Sequence, residues 1–229
     1  MALIMIYGCQ NKETYTLKDT YTDKPAYGDM LIDSSIGEPA ILNPVLASDS
    51  ASAEINDLVF SGLVKFDKNL NLTGDLAEKW EIKDGGLIII FYLKKNVKWH
   101  DGAPFTAKDV KFTYDIYMAP ETKTAYRSLF EPVKNVIVID DYTVKVNYKK
   151  PFAPALQYWG TGILPSHLLE GKDINTAVFN RAPVGTGPYT FKNWKTGRSV
   201  ELMANKDYFD GAPYISNYLF RIIPDQSVQ

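Results

Sequence analysis

The chain has few residues of the kinds that carry out nucleophilic or metal-assisted chemistry. It contains two histidines, His100 and His167, and one cysteine, Cys9. Asp101 follows His100, but this pair lies in a predicted turn, where a histidine bonded to nearby backbone is the simpler interpretation. Ser166 is too close to His167 in sequence to indicate a nucleophile and its base. Because Gly-x-Ser-x-Gly and His-x-x-x-His spacings are also missing, the sequence predicts no enzyme activity, no metal site and no cofactor.

Two Gly-Thr-Gly sequences, at 160–162 and 185–187, invite comparison with phosphate-binding loops. A P-loop continues as Gly-Lys-Ser or Gly-Lys-Thr into a helix. Gly187 is instead followed by Pro188 and an extended segment. Glycine at these positions is better explained by a tight bend or by the close approach of another backbone segment.

Composition indicates a globular chain that can bury a core. The 229 residues are 45% hydrophobic and 23% charged, and the net charge is −2. This balance disfavours nucleic acid or an anionic membrane surface as the main partner. The aromatic content of 13% fits a β-rich core, with an aromatic binding cleft as the alternative. The length allows one large or two small domains.

The segment 76–115 carries the strongest local signals, and it predicts a helical turn, a strand pair and a capped helix. Leu87–Leu93 is apolar and rich in branched and aromatic residues, which predicts a strand buried on both faces. Thr106 and Asp109 have capping-box spacing, so a helix is predicted from there to about Met118.

Strand and helix patterns alternate along the rest of the chain. A helix is predicted over 50–64 from the spacing of its apolar residues. The predicted strands are 30–35, 133–139, 142–148, 189–194, 199–203 and 218–223, and further helices are predicted to start within 151–159 and 165–169. This mixture predicts an α/β or mixed α+β fold.

Two blocks of sequence resemble one known family. The first block contains Trp80, the Asp84-Gly85 turn and Trp99-His-Asp-Gly-Ala-Pro-Phe-Thr-Ala-Lys-Asp-Val110, and the second contains Pro183-Val-Gly-Thr-Gly-Pro-Tyr-Thr-Phe191, Trp194, Gly197, Asn205-Lys-Asp-Tyr208 and Gly211-Ala-Pro213. In this order they are similar to the signature regions of the family 5 extracellular solute-binding proteins, the oligopeptide and dipeptide receptors of bacterial ABC importers. The resemblance identifies a family but no particular ligand.

For the fold, the resemblance implies a periplasmic-binding-protein-like type II lobe that is split by an inserted α+β subdomain. Residues 29–60 and 184–229 would form lobe I, and residues 61–183 would form the insert. Family members are much longer than this chain, so the resemblance implies an N-terminal portion in which the second lobe is absent.

For function, the resemblance implies that two lobes close around a peptide and that the closed form docks on ABC transporter permease subunits. The peptide main chain would be held by hydrogen bonds, as an added strand is. Relatives of the same fold take nickel chelates, oligosaccharides or other small solutes, and a sensor-coupled receptor is a further alternative. The lack of clustered histidines disfavours a direct nickel site.

The resemblance also points to cleft-lining residues. The loop after Leu42-Asn43-Pro44 would line the cleft, so Ser48, Asp49 and Ser50 are predicted to contact the peptide backbone or amino terminus. Alternatively, this loop only caps the next helix, for which Ser50 or Ser52 is suited. Tyr158, Trp159 and Gly160 are predicted to form a second cleft edge, with a structural aromatic anchor as the alternative.

The amino-terminal segment resembles that of a bacterial lipoprotein. Ile6-Tyr-Gly-Cys9 is similar to a lipobox, in which the cysteine carries lipid, and residues 1–9 would be the remnant of the signal. Polar residues 10–28 would form a flexible tether. The bulky Tyr7 and the lack of a basic start depart from the pattern, and an incidental free thiol is the alternative. The predicted location is the periplasm or the outer face of the cytoplasmic membrane, with membrane contact through a lipid anchor only.

Overall fold

The computed structural model describes residues 25–224. Cys9, the predicted signal remnant and most of the predicted tether lie outside these residues. The strands are β1 (Gly28–Ser35), β2 (Val64–Phe66), β3 (Leu72–Gly74), β4 (Ala77–Lys83), β5 (Ile88–Leu93), β6 (Val133–Asp140), β7 (Thr143–Tyr148), β8 (Tyr189–Lys195), β9 (Ser199–Ala204) and β10 (Ile215–Ile222). The helices are α1 (Ser50–Val59), α2 (Ala107–Met118), α3 (Arg127–Phe130), α4 (Ala155–Tyr158) and α5 (Ser166–Leu169).

Two four-stranded sheets organise these elements. The first has the order β1-β10-β9-β8, and β1 runs parallel to β10 with Met30 opposite Asn217. The second has the order β4-β5-β7-β6 and is antiparallel throughout. The two ends of the described chain therefore share one sheet, and the segment between them builds the other. An inserted subdomain requires such a topology, although the boundaries given above stay a prediction.

Local sequence signals predicted several elements correctly. The hairpins β6–β7 and β8–β9 confirm two of the predictions. The capped helix is confirmed as well, because α2 spans Ala107–Met118 and the Thr106 backbone N–H donates to Asp109 Oδ2 at 2.9 Å. The Asp-Gly turn has positive φ at Asp84 (50°) and Gly85 (62°), as its residue types indicate.

Three local predictions were wrong. The helix predicted over 50–64 ends at Val59, because the chain becomes extended at Phe60 and continues into β2. The strand predicted to be buried on both faces is buried on one, since Ile89, Phe91 and Leu93 alternate with partly exposed neighbours in β5. The predicted helical turn near residue 76 is the start of β4, which pairs with β5.

The core is rich in aromatic rings between the second sheet and α2. The Trp159 ring lies 5.2 Å from Phe130 and 5.9 Å from Phe91, measured between ring centroids. Tyr117 packs on Phe130 at 4.6 Å. Such clusters stabilise a core through large buried areas and edge-to-face contacts.

None of the helices formed by residues 25–224 has the length and apolar character needed to cross a membrane.

Candidate functional site

Two open hollows lie side by side along α1, and together they are called the groove below. The walls they share are Pro44, Asn56, Asp57, Gly160 and Gly162. The larger hollow, of about 570 Å³, extends toward β2 and β3. The smaller hollow, of about 200 Å³, extends toward α2 and α3. The larger one alone falls in the size range of small-molecule sites.

One wall of the groove depends on the glycines of the 160–162 segment. The backbone on either side of this segment pairs with residues 61–63, because the Leu63 N–H donates to the Trp159 carbonyl at 2.7 Å and the Ile163 N–H donates to the Ser61 carbonyl at 3.0 Å. A Cβ atom on Gly162 would lie 2.7 Å from the Phe60 Cβ, and one on Gly62 would lie 2.5 Å from the Gly160 carbonyl carbon. Two backbone segments therefore approach closely here, which confirms the prediction for this Gly-Thr-Gly sequence.

The second Gly-Thr-Gly sequence packs against the end of α1. The Gly187 N–H donates to the Val59 carbonyl oxygen at 2.8 Å, and a side chain on Gly185 would overlap that oxygen. His100 joins this contact, since the Gly185 N–H donates to His100 Nδ1 at 3.2 Å and Nε2 lies 3.0 Å from the Gly187 oxygen. This geometry requires the proton on Nε2. Burial lowers the pKa of His100, against the opposing hydrogen bond to Gly187, so the neutral ring is favoured.

The contacts of His100 refine its predicted role. The ring is bonded to backbone, as expected, but to backbone that is distant in sequence. His167 pairs instead with Asp101, with 2.8 Å between Nε2 and Oδ2. The two histidines therefore contact different parts of the chain, and neither lines the groove.

The predicted binding loop forms the start of α1. Asp49 is the N-cap, and its carboxylate accepts from the Ser52 N–H at 2.8 Å and from the Ser52 hydroxyl at 2.7 Å. The cap was expected at Ser50 or Ser52, which was wrong because the aspartate precedes both and its carboxylate reaches Ser52. Ser48 and Ser50 are exposed beside Asp49. These three residues lie at the N-terminal end of α1 and line neither hollow.

The three residues of the second predicted cleft edge lie in three different environments. Trp159 is only 1% exposed, and its Nε1 donates to the Tyr148 hydroxyl at 2.9 Å. The Trp159 ring is therefore part of the core, which agrees with the alternative of a structural aromatic anchor. Tyr158 is partly buried and packs on Phe152 at 5.5 Å, outside both hollows. Gly160 alone lines the groove.

Asn56 is the residue of the groove that sequence reasoning missed. It is 4% exposed and lines both hollows. Neither its Oδ1 nor its Nδ2 has a hydrogen-bond partner among residues 25–224. A buried amide left without partners costs roughly 1–3 kcal/mol. The available signal was its position one turn after Ser52 and next to Ile55, inside the buried stripe of α1.

Charges in the larger hollow are arranged around Lys65. Its Nζ lies 2.6 Å from Asp210 Oδ2 and 3.3 Å from Asp75 Oδ1. Burial acts to lower the pKa of Lys65, but the hydrogen bond to Asp210 and the charge of Asp75 outweigh it and raise the pKa. Burial raises the pKa of Asp75, although Lys65 opposes it. Asp57 and Asp75 both line this hollow together with Lys65, so acidic groups outnumber basic ones in this wall.

Metal binding finds little support in the part of the chain that the structure describes. No group of three or more His, Cys, Asp or Glu side chains in residues 25–224 is placed to hold a metal ion. The groove instead offers glycine backbone, apolar side chains, the unpaired amide of Asn56 and the charged side chains of Asp57, Lys65 and Asp75. Such a lining is suited to an uncharged or cationic organic solute rather than to a bare metal ion.

The chain is similar to one known protein family, to individual proteins of that family and to several solved structures. The family model described as "Bacterial extracellular solute-binding proteins, family 5 Middle" matches residues 71–229, which is more than half of the chain. The chain belongs to this family. The resemblance stated from the two sequence blocks is thereby confirmed, and so is the mixed α/β fold of a periplasmic-binding-protein-like lobe.

Individual family members are similar over most of this chain. The oligopeptide-binding protein AppA of Bacillus subtilis is 40% identical over 210 residues, covering 88% of this chain and 38% of AppA. The structure of AppA in complex with a nonapeptide matches with a TM-score of 0.86 at 38% identity, covering 90% of this chain and 42% of that chain. NikZ from Campylobacter jejuni in complex with Ni(L-His) matches with a TM-score of 0.82 at 37% identity, covering 87% and 40%. The chain thus spans about two-fifths of these family members.

Proposed function

We propose that this chain forms one wall of the peptide site in the substrate-binding component of an ABC importer. The observation that carries the proposal is the groove along α1, with its glycine backbone, its apolar walls and the unpaired amide of Asn56. Two similar structures support a peptide as the solute. AppA holds a nonapeptide, and DppA from Helicobacter pylori, with a TM-score of 0.80 at 26% identity, holds the peptide STSA. The role is binding and delivery rather than catalysis.

The start of α1 would hold polar groups that every peptide shares. Ser48 and Ser50 are exposed at this end, so their hydroxyls are available to main-chain groups. Each oxygen of the Asp49 carboxylate accepts one hydrogen bond from Ser52. Since each oxygen has two lone pairs, Asp49 can cap the helix and still accept from the ammonium of a peptide. Gly160 and the exposed edge of Tyr158 complete the proposed contacts.

Capture would require a second wall. The groove is open in the described residues, and the family members cited above are more than twice as long as the matched region. We propose that a second lobe closes over the groove by a hinge motion and that the closed form docks on permease subunits. In this arrangement, residues 29–60 and 184–229 form lobe I, and residues 61–183 form the inserted subdomain.

Peptide binding by one wall is testable with this 229-residue chain. Tetra-alanine at millimolar concentration is expected to shift the amide resonances of α1 and of residues 160–162 in nuclear magnetic resonance spectra. Calorimetry should detect no micromolar binding, because half of a cleft desolvates only half of the ligand. The absence of shifts in the groove would contradict the peptide site, and micromolar affinity would contradict the requirement for a second wall.

A nickel chelate is a second candidate solute, which the similarity to NikZ with Ni(L-His) favours. The same spectra distinguish the two candidates when the nickel–histidine complex replaces tetra-alanine. We expect shifts with the peptide and none with the chelate, since no cluster of ligating side chains lies among residues 25–224. Zinc–histidine serves as the diamagnetic control for paramagnetic broadening. Selective shifts with the chelates would reverse the assignment.

We further propose that the protein is held at the outer face of the cytoplasmic membrane by lipid on Cys9. Support comes from the Ile6-Tyr-Gly-Cys9 sequence, because a thiol after a small residue is what lipid transfer requires. Incorporation of radiolabelled palmitate in bacterial cells is expected to disappear in Cys9→Ser. Gly8→Ala is the matched control, since alanine is also small and labelling should persist. Equal labelling of Cys9→Ser and the unchanged chain would reject the anchor.

A further inference from the structure

Asn56 combines three properties that are rarely found together in a stable helix. It is 4% exposed, it lies on the boundary between the two hollows, and both polar atoms of its side chain lack partners in residues 25–224. Buried polar atoms in native proteins are nearly always hydrogen-bonded, so an exception calls for an explanation. Here Asn56 lines an open groove while its two polar atoms are themselves buried, so the side chain must turn toward the groove to meet a bound molecule, and it breaks no hydrogen bond within residues 25–224 in doing so.

The chemistry of the side chain restricts what the partner can be. Oδ1 accepts hydrogen bonds and Nδ2 donates them, so a full partner must present one donor and one acceptor close together. A residue of an extended peptide does so, because its N–H and C=O point toward the same neighbour. Antiparallel strands exchange the same pair of bonds between facing residues.

We infer that the Asn56 carboxamide binds one residue of the peptide main chain, with Oδ1 accepting from its N–H and Nδ2 donating to its C=O. The inference rests on the proposed peptide-binding function and assigns it a specific contact. Asn56 thereby acts in place of a residue on a neighbouring strand, although it is carried by a helix. The contact is independent of the peptide sequence, since every residue except proline offers both groups.

The two hollows then receive side chains on either side of this contact. Successive side chains of an extended segment point to opposite faces. The larger hollow of about 570 Å³ accommodates a bulky or cationic side chain, because Asp57 and Asp75 line it. The smaller hollow of about 200 Å³, bordered by Ala53, Tyr117 and Leu129, accommodates a small apolar one. Asn56 fixes which residue of the peptide enters which hollow.

The test pairs Asn56→Leu with a set of tetra-alanines that are N-methylated at one peptide nitrogen each. Affinities are measured from resonance shifts in the groove, which detect millimolar binding. In the unchanged chain, one of the N-methylated peptides is expected to bind about tenfold more weakly than tetra-alanine, since a net hydrogen bond and its steric fit are lost. Asn56→Leu should bind tetra-alanine about tenfold more weakly than the unchanged chain does. The N-methyl group that weakens binding to the unchanged chain should not weaken binding to Asn56→Leu any further.

Glu54→Gln is the matched control on the same helix. Glu54 does not line the groove, and its carboxylate lies 2.9 Å from the Tyr218 hydroxyl. Glu54→Gln should leave the affinities for tetra-alanine and for the N-methylated peptides unchanged. Ligand-free Asn56→Leu should unfold at an equal or higher urea concentration than the unchanged chain, whereas removal of a structural amide would lower it. If the leucine variant changes spectra outside the groove, Asn56→Ser replaces it.

The outcomes separate the inference from the function on which it rests. If the N-methylation effect persists in the Asn56 variants, or if they bind tetra-alanine as the unchanged chain does, the Asn56 contact is wrong and the peptide site stands. If no peptide shifts the amide resonances of the groove residues in the unchanged chain, the proposed function itself is wrong. A lower urea midpoint for ligand-free Asn56→Leu would assign the amide to the fold and overturn the inference.

Discussion

Replacing Gly185 with alanine is expected to lower the free energy of unfolding by about 3–5 kcal/mol, or to abolish folding. The new Cβ would overlap the Val59 carbonyl oxygen and lie 2.7 Å from its carbon. These are backbone atoms at the end of α1, so a rotamer change cannot relieve the overlap. The chain would have to separate α1 from the 185–187 segment and break the Gly187–Val59 hydrogen bond and the Gly185–His100 pair.

Urea unfolding followed by tryptophan fluorescence measures this effect, with the midpoint and slope evaluated together. Gly37→Ala is the matched control, because a Cβ there has nothing within 4 Å. It is expected to change the free energy of unfolding by no more than about 1 kcal/mol, in the stabilising direction. If Gly185→Ala and Gly37→Ala unfold alike, the close approach at the end of α1 is incorrect. The peptide groove would also lose its support, because α1 carries Asn56.

Replacing Asp109 with alanine is expected to lower the free energy of unfolding by about 3–5 kcal/mol. The carboxylate is 2% exposed and accepts four hydrogen bonds. The donors are the Thr106 N–H at 2.9 Å, the Ser166 N–H at 3.0 Å, the Ser166 hydroxyl at 2.6 Å and Trp99 Nε1 at 3.4 Å. Alanine would leave these donors buried and unpaired and would remove part of the cap of α2.

Asp115→Ala is the matched control, because it also removes an aspartate from α2. Asp115 is exposed and only pairs with Lys111 one turn earlier, at 2.6 Å. Such pairs contribute about 0.3–0.5 kcal/mol, so the control should be nearly neutral in the same urea measurement. A similar small loss for both variants would show that Asp109 does not join α2 to α5. Ser166 follows the 160–162 segment, which lines the groove. The resonance shifts that a peptide causes in the groove should therefore also be smaller in Asp109→Ala.

The elements best predicted from sequence are those whose causes are local. The capping box of α2 and the Asp84-Gly85 turn depend on residues within one turn of each other, and both are present. The hairpin over residues 133–148 follows from alternating side chains around two aspartates. In contrast, the burial of Ile88–Leu93 depends on what covers each face of β5, and the sequence run cannot show that one face is only partly covered.

The candidate site was predicted less well than the fold. The loop at Ser48–Ser50 forms the start of α1 with Asp49 as its N-cap, and it lines neither hollow. For Trp159 the sequence left a cleft edge and a structural aromatic anchor as alternatives, and the structure places its ring in the core. Asn56 was missed because its position in the buried stripe of α1 does not by itself indicate an unpaired amide. Whether its amide is paired depends on atoms more than a hundred residues away, around Gly160.

The sequence by itself determined the family, the mixed α/β character and most of the turns and caps. Those features are encoded in residue types at short spacings, where steric limits and hydrogen bonds act between neighbours. Only the tertiary structure decided that β1 pairs with β10 and that Gly160 and Gly162 form a wall beside α1. It also decided that the amide of Asn56 is buried without a partner, because that depends on the packing of segments far apart in the chain.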